Sequence, residues 1–129
     1  MDKTISYLRT LFHILILFLI ILSLYPGNIL GFIFYGDLSK EIIITRNYLN
    51  ISSNHLYVYF LVSIIGFYSY LEDKKLKLII IFMLFLSVIL ELFHLIIPER
   101  SFQIIDLKGN IVGVLLAYII ILIYKFRKK

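Results

Sequence analysis

The stretch ILELFHLIIPERSFQIIDLKGNIVGVLL, residues 89–116, sets a glutamate, a histidine, an arginine, an aspartate and an asparagine into otherwise apolar surroundings. Glu91 and His94 are three residues apart, so on a helix they share a face. A carboxylate beside an imidazole is suited to moving a proton near neutral pH. The same E-x-x-H spacing on an inward helix face can hold a metal, although a di-iron centre needs two such pairs with further carboxylates. Only one pair is present here. A single ion on His55, Glu91, His94 and Asp106 is chemically feasible from the ligand types. Nothing in the sequence fixes their geometry, and the reading assigns neither metal nor cofactor. H-E-x-x-H, G-x-S-x-G and a phosphate-binding glycine loop are all absent, so no residue is assigned a catalytic role.

These side chains have to be positioned by helices in a bilayer. Hydrophobic residues make up 61% of the 129-residue chain, above the ~45–50% of soluble domains, and mean hydropathy is +0.98. Apolar runs over about residues 10–35, 55–71, 76–97 and 107–125 are near or above the length a helix needs to cross hydrocarbon. The expected fold is all-α: one polytopic membrane domain over residues 1–129, a bundle of four transmembrane helices. Pro26-Gly27-Asn28 should end or kink the first run, because proline removes a helix donor and glycine loosens the backbone. A basic start before an apolar run also fits a signal peptide, but no A-x-A site follows, so the run is read as retained. NISSNH supplies capping-type residues ahead of the second run. Helical periodicity is weak, as expected where lipid and partner helices are equally apolar.

Lys3, Arg9, Lys74, Lys75, Lys77, Lys125, Arg127, Lys128 and Lys129 flank one side of a four-span arrangement, and only Lys40, Arg46, Arg100 and Lys108 the other. Retention of basic flanks in the cytoplasm predicts a multi-pass protein of the cell membrane with both termini inside. The 36–54 and 98–106 loops then face out. The net charge of +5 falls at the ends of apolar runs rather than in one patch, which predicts the bilayer and not nucleic acid as partner. With no cysteine, disulfides, thiolate nucleophiles and cysteine-ligated zinc are excluded. Tyrosines near the span ends, Tyr59 among them, suit an aromatic belt.

In this orientation His55 opens the second span from outside, while Glu91 and His94 sit toward the outer end of the third. Glu91 is seven residues before Pro98, roughly 10 Å of helix below the interface. An ionisable group at that depth needs a partner or a wet cavity. Arg100 can fold back to pair with Glu91 or Asp106, or serve as an anchor at phosphate level. Asp106 is placed to cap the fourth helix. Asn110 and Gly113 follow at i+4 and i+7 on the same face, where Asn110 can bond a neighbouring helix. Gly113 and Ala117 form a small-residue stripe for close helix packing.

This region resembles the VanZ-like family of small bacterial membrane proteins. In that family a helix-ending glutamate is followed by R-x5-D-x3-N-x2-G, reproduced by Arg100, Asp106, Asn110 and Gly113. A histidine and a tyrosine four apart at the start of the preceding span match His55 and Tyr59. The resemblance covers about residues 52–125, with His94 standing where the family commonly has glutamine. It implies a cell-envelope role, the founding member being associated with teicoplanin resistance.

The leading expectation is an outward-facing polar pocket of His55, Tyr59, Glu91, His94, Arg100, Asp106 and Asn110. It would bind an envelope-related molecule, a lipid-linked or peptide-bearing intermediate, with Arg100 meeting an anionic group. A membrane-embedded acid–base enzyme on such a substrate, or a non-catalytic accessory subunit, are the alternatives. The sequence does not define the oligomeric state.

Overall fold

The computed structural model describes residues 3–128, so Lys129 of the basic tail lies outside the described residues. Five helices follow one another: α1 (Lys3–Leu24), α2 (Ile29–Tyr35), α3 (Ser53–Ser69), α4 (Leu76–Phe93) and α5 (Ile104–Arg127). Among the described residues there is no strand, only an isolated bridge between Tyr48 and Ile51 in the loop before α3. Three helices, α1, α4 and α5, are long and apolar enough to cross a membrane, where four were expected. The exception is α3. At 17 residues it is one residue shorter than α4, and it carries Ser53, Asn54, His55 and Ser63.

The first apolar run is broken where proline and glycine predict. Pro26 has no N–H to give the carbonyl four residues back, Leu22, and the last intrahelical-type bond runs from Tyr25 N–H to Ile21 O. Gly27 then takes a φ of +77°, open to glycine at little cost. Asn28 starts α2 by accepting the Gly31 N–H at 2.9 Å on its side chain. The 10–35 run is therefore a helix long and apolar enough to span, which starts earlier than expected, then a corner and a seven-residue helix.

Helices α1, α3, α4 and α5 run antiparallel in sequence order. At one end Arg9 of α1 donates to the Ser69 carbonyl at the end of α3, pairs with Asp73 at 2.8 Å and lies over the Tyr70 ring. Lys128, just past α5, meets Glu72 there at 3.1 Å. At the other end the start of α3 is tied to the start of α5, with Ser52 N–H donating to Ile105 O at 3.0 Å. α3 is the hub, packed against α1, α4 and α5, most extensively against α5.

The core is built from narrow helical stripes: Phe12, Ile16 and Leu19 of α1, Met83, Leu86 and Leu90 of α4, Val114, Ala117 and Ile121 of α5. Opposite them, Leu17, Phe18 and Ile21, or Ile119, Ile120 and Ile123, are exposed and equally apolar. Inside and outside thus carry the same residue types, as lipid solvation allows.

Backbone proximity between α3 and α5 depends on glycine. A Cβ on Gly113 would meet the Leu56 carbonyl oxygen at 2.5 Å and the Phe60 nitrogen at 2.9 Å; one on Gly109 would meet the Ser52 oxygen at 2.5 Å. With Ala117 they form a G-x3-G-x3-A stripe. Gly113 and Ala117 pack as expected, and Gly109 extends the stripe by a turn.

Two outcomes follow. Gly113→Leu must push backbone rather than a flexible side chain, so its cost should reach or exceed the ~1–3 kcal/mol of overpacking; thermal unfolding in detergent should show a lowered midpoint. At the Arg9 end, the Lys75 backbone N–H, aided by Arg9, holds the Asp73 carboxyl below the usual carboxylate value. A depressed folded-state value stabilises above the unfolded one and loses that contribution as pH falls through it. Asp73→Asn should lower stability across the neutral range and flatten its fall on the acid side, so that variant and wild type converge at low pH.

Candidate functional site

The glycine contact sets His55 of α3 directly against Asp106 and Asn110 of α5. His55 Nδ1 lies 2.8 Å from Asn110 Oδ1, and His55 Nε2 lies 3.7 Å from Asp106 Oδ2. Asn110, 1% exposed, donates its Nδ2 to the Ser87 carbonyl of α4 at 3.1 Å. It therefore joins three helices, as an interhelical bond and as part of the pocket. Asp106 is not the helix cap expected of it. α5 begins at Ile104 with Gln103 at the cap position, leaving Asp106 in the first turn, where its charge suits the helix dipole.

Glu91 projects from α4 one turn after Ser87 and is 1% exposed. Its Oε1 accepts the Gln103 N–H at 3.0 Å and lies 3.3 Å from His94 Nδ1. His94 Nε2 faces the Ser23 carbonyl at 3.1 Å, and a carbonyl only accepts, so that nitrogen carries a hydrogen. The Nδ1···Oε1 contact then needs a second proton, on the ring or the carboxyl. The other carboxylate oxygen, Oε2, is buried with no hydrogen-bond partner.

Arg100 behaves differently from the expectation. It pairs with neither Glu91 nor Asp106: its guanidinium donates to the Leu22 carbonyl and, at 3.1 Å, to the Tyr25 carbonyl. These belong to the end of α1 that Pro26 leaves without donors. His94 serves the intervening Ser23 carbonyl. Burial draws the Arg100 pKa down, against the opposing pull of Glu41, Glu91 and Asp106, and an arginine so placed stays charged.

A cavity of about 770 Å³ opens at this end of the bundle. His55, Tyr59, Glu91, His94, Arg100, Asp106 and Asn110 all line it, so every residue of the predicted pocket comes together. Tyr59 is 2% exposed, a core residue and not an interfacial anchor. Leu19, Leu22, Val58 and Leu90 add apolar wall, and Asp37, Glu41 and Glu99 add carboxylates. His13 lies toward the Arg9 end, its Nδ1 2.6 Å from the Arg9 carbonyl. The capping expected of NISSNH is also modified: Ser52 makes no side-chain cap, and Asn47 accepts the Ser53 N–H at 3.1 Å instead.

Sequence reasoning missed Ser23, Ser87 and Gln103, which act through backbone groups and so carry no side-chain signature. Gly109 had one, its spacing before Gly113. An all-helical membrane protein with a polar, largely acidic pocket at one end of its bundle is the class that fold and site define. In comparisons with protein-family models, curated proteins and solved structures, the chain has no match.

Arg100→Ala should act on folding. Removing charge-assisted bonds to two helix-end carbonyls costs about 1–3 kcal/mol, so unfolding in detergent and membrane abundance should both fall. Unchanged stability would count against the capping role.

Proposed function

We propose that the chain is a four-pass protein of the VanZ-like type, whose cavity receives the polar headgroup of an envelope amphiphile from the outer leaflet. The antiparallel order supports α3 as the fourth crossing. It returns the chain from the end where α1 finishes to the end where α4 starts, and its 17 residues reach the lower limit of ~17 for a span. Central packing lets it tolerate polar residues that a lipid-facing helix could not. The basic residues flanking the Arg9 end support a cytoplasmic position for that end and for both termini.

The observation carrying the reading is the lining of the cavity: five carboxylates, those of Asp37, Glu41, Glu91, Glu99 and Asp106, beside an apolar wall. Arg100 is already engaged by carbonyls. The headgroup that fits is therefore one bearing an amine or several hydrogen-bond donors, rather than the anionic group first assigned to Arg100. An amine-bearing, peptide- or lipid-linked intermediate of the envelope has this chemistry, and interference with glycopeptide action is the cellular role the resemblance implies. A second reading, acid–base catalysis on the same headgroup, is favoured by the Glu91–His94 contact at 3.3 Å, within reach for proton transfer on slight closure.

Mass spectrometry of lipids retained by the purified protein tests the headgroup reading. An amine-bearing amphiphile should be enriched over the bulk membrane, and Glu91→Gln or Asp106→Asn should abolish the enrichment at unchanged yield. The same lipid profile in variants and wild type would sink it. Conversion of the retained lipid by wild type, lost in Glu91→Gln, would select catalysis.

A further inference from the structure

His55 has a hydrogen-bonding arrangement that headgroup binding leaves unexplained. Because Asn110 donates its Nδ2 to the Ser87 carbonyl, its Oδ1 faces His55 and can only accept. The hydrogen of the neutral imidazole is therefore on Nδ1. Nε2 then presents a lone pair, and it does so toward another acceptor, Asp106 Oδ2, at 3.7 Å. One ligand atom each from His55, Glu91 and Asp106 lie within 4.8 Å of one another. Glu91 Oε1 is engaged by Gln103 and His94, whereas Oε2 is buried without a partner on a side chain 1% exposed. Lone pairs from three helices thus converge at the cavity, two of them on carboxylates.

We propose that His55 Nε2, Asp106 and the free oxygen of Glu91 bind a divalent transition-metal ion, zinc foremost, with its remaining positions open to the cavity. Two carboxylates and a neutral imidazole balance the ion's charge, which offsets the cost of burying Glu91 with one carboxylate oxygen unpartnered. Imidazole in the donor set favours zinc and its neighbours over magnesium, which prefers oxygen ligands and retained water. Ligand atoms about 2.1 Å from a tetrahedral zinc stand about 3.4 Å apart. The His55–Asp106 separation of 3.7 Å is close to that, and the three ligand atoms, all within 4.8 Å of one another, reach it by closing on the ion.

The surrounding groups fit an outer layer of such a site. Asn110 fixes the His55 tautomer that leaves Nε2 free, while Gln103 and His94 hold Glu91 Oε1 and leave Oε2 to ligate. Partners of this kind orient metal ligands and typically contribute 10–100-fold in affinity. The site stands on its own geometry and does not require the headgroup reading.

Protein purified in detergent without a histidine tag, equilibrated with zinc or magnesium and passed through gel filtration, gives the test by elemental analysis. Wild type should retain one zinc per chain and no magnesium, and cobalt substitution should give ligand-field absorption. Asp106→Asn and His55→Ala should abolish retention, Asn110→Leu should weaken it about 10–100-fold, and His13→Ala, at the far end, should leave it intact. Asp106→Asn is near-isosteric, and circular dichroism with the elution profile establishes that each variant is folded. Folded wild type that retains no zinc, or equal retention by the folded Asp106→Asn and His55→Ala variants, overturns the proposal. Zinc retention without lipid enrichment, or the reverse, separates this site from the headgroup reading.

Discussion

The approach of α3 to α5 at Gly109 and Gly113 is the constraint on which the polar end of the molecule depends. Carbonyl oxygens of Ser52 and Leu56 lie where a Cβ on either glycine would stand, so no side chain larger than hydrogen is compatible with this spacing. In hydrocarbon there is little hydrophobic gain from bringing helices together, and close backbone packing takes its place. The consequence is positional. His55, Asp106 and Asn110 extend from the same contact, and their separations of 2.8 and 3.7 Å follow from how closely the two backbones run.

A second demand is the satisfaction of backbone groups far from water. Pro26 ends α1 and releases carbonyls of its last turn, and both Arg100 and His94 come from the α4–α5 side to meet them. Arg9 does the corresponding work at the other end, donating to the Ser69 carbonyl that closes α3. α1 is thereby fastened at both ends by arginine. It is otherwise held by one narrow stripe, while most of its surface faces outward. The same economy explains why Arg100 is unavailable to an anionic ligand, and why the cavity it borders is left with carboxylates in excess.

Much of this was legible in the residues. Unbroken apolar runs define helices, because no other element satisfies its own backbone in lipid. The corner at Pro26 and Gly27 follows from a missing donor and a permissive backbone. The membership of the pocket was legible too: a lone Glu91 in an apolar helix implies partners, and the i+4 spacings of His55 with Tyr59 and of Asp106 with Asn110 place each pair on one face. Less legible was which apolar face of each helix turns inward. Leu17 outside and Ile16 inside are chemically alike, and no periodicity separates them when lipid replaces water.

Sequence by itself determined an all-helical membrane chain, the break in its first apolar run, the small-residue stripe and the set of polar groups that share one end. Tertiary structure decided who meets whom. It gave Arg100 to the carbonyls of α1 and not to Glu91, put Asp106 against His55 and not over its own helix end, moved Tyr59 into the core, and made the short α3 the hub. Each of these is a choice among partners of similar chemistry. Distance alone makes that choice, and the distances come from how closely the helix backbones can approach.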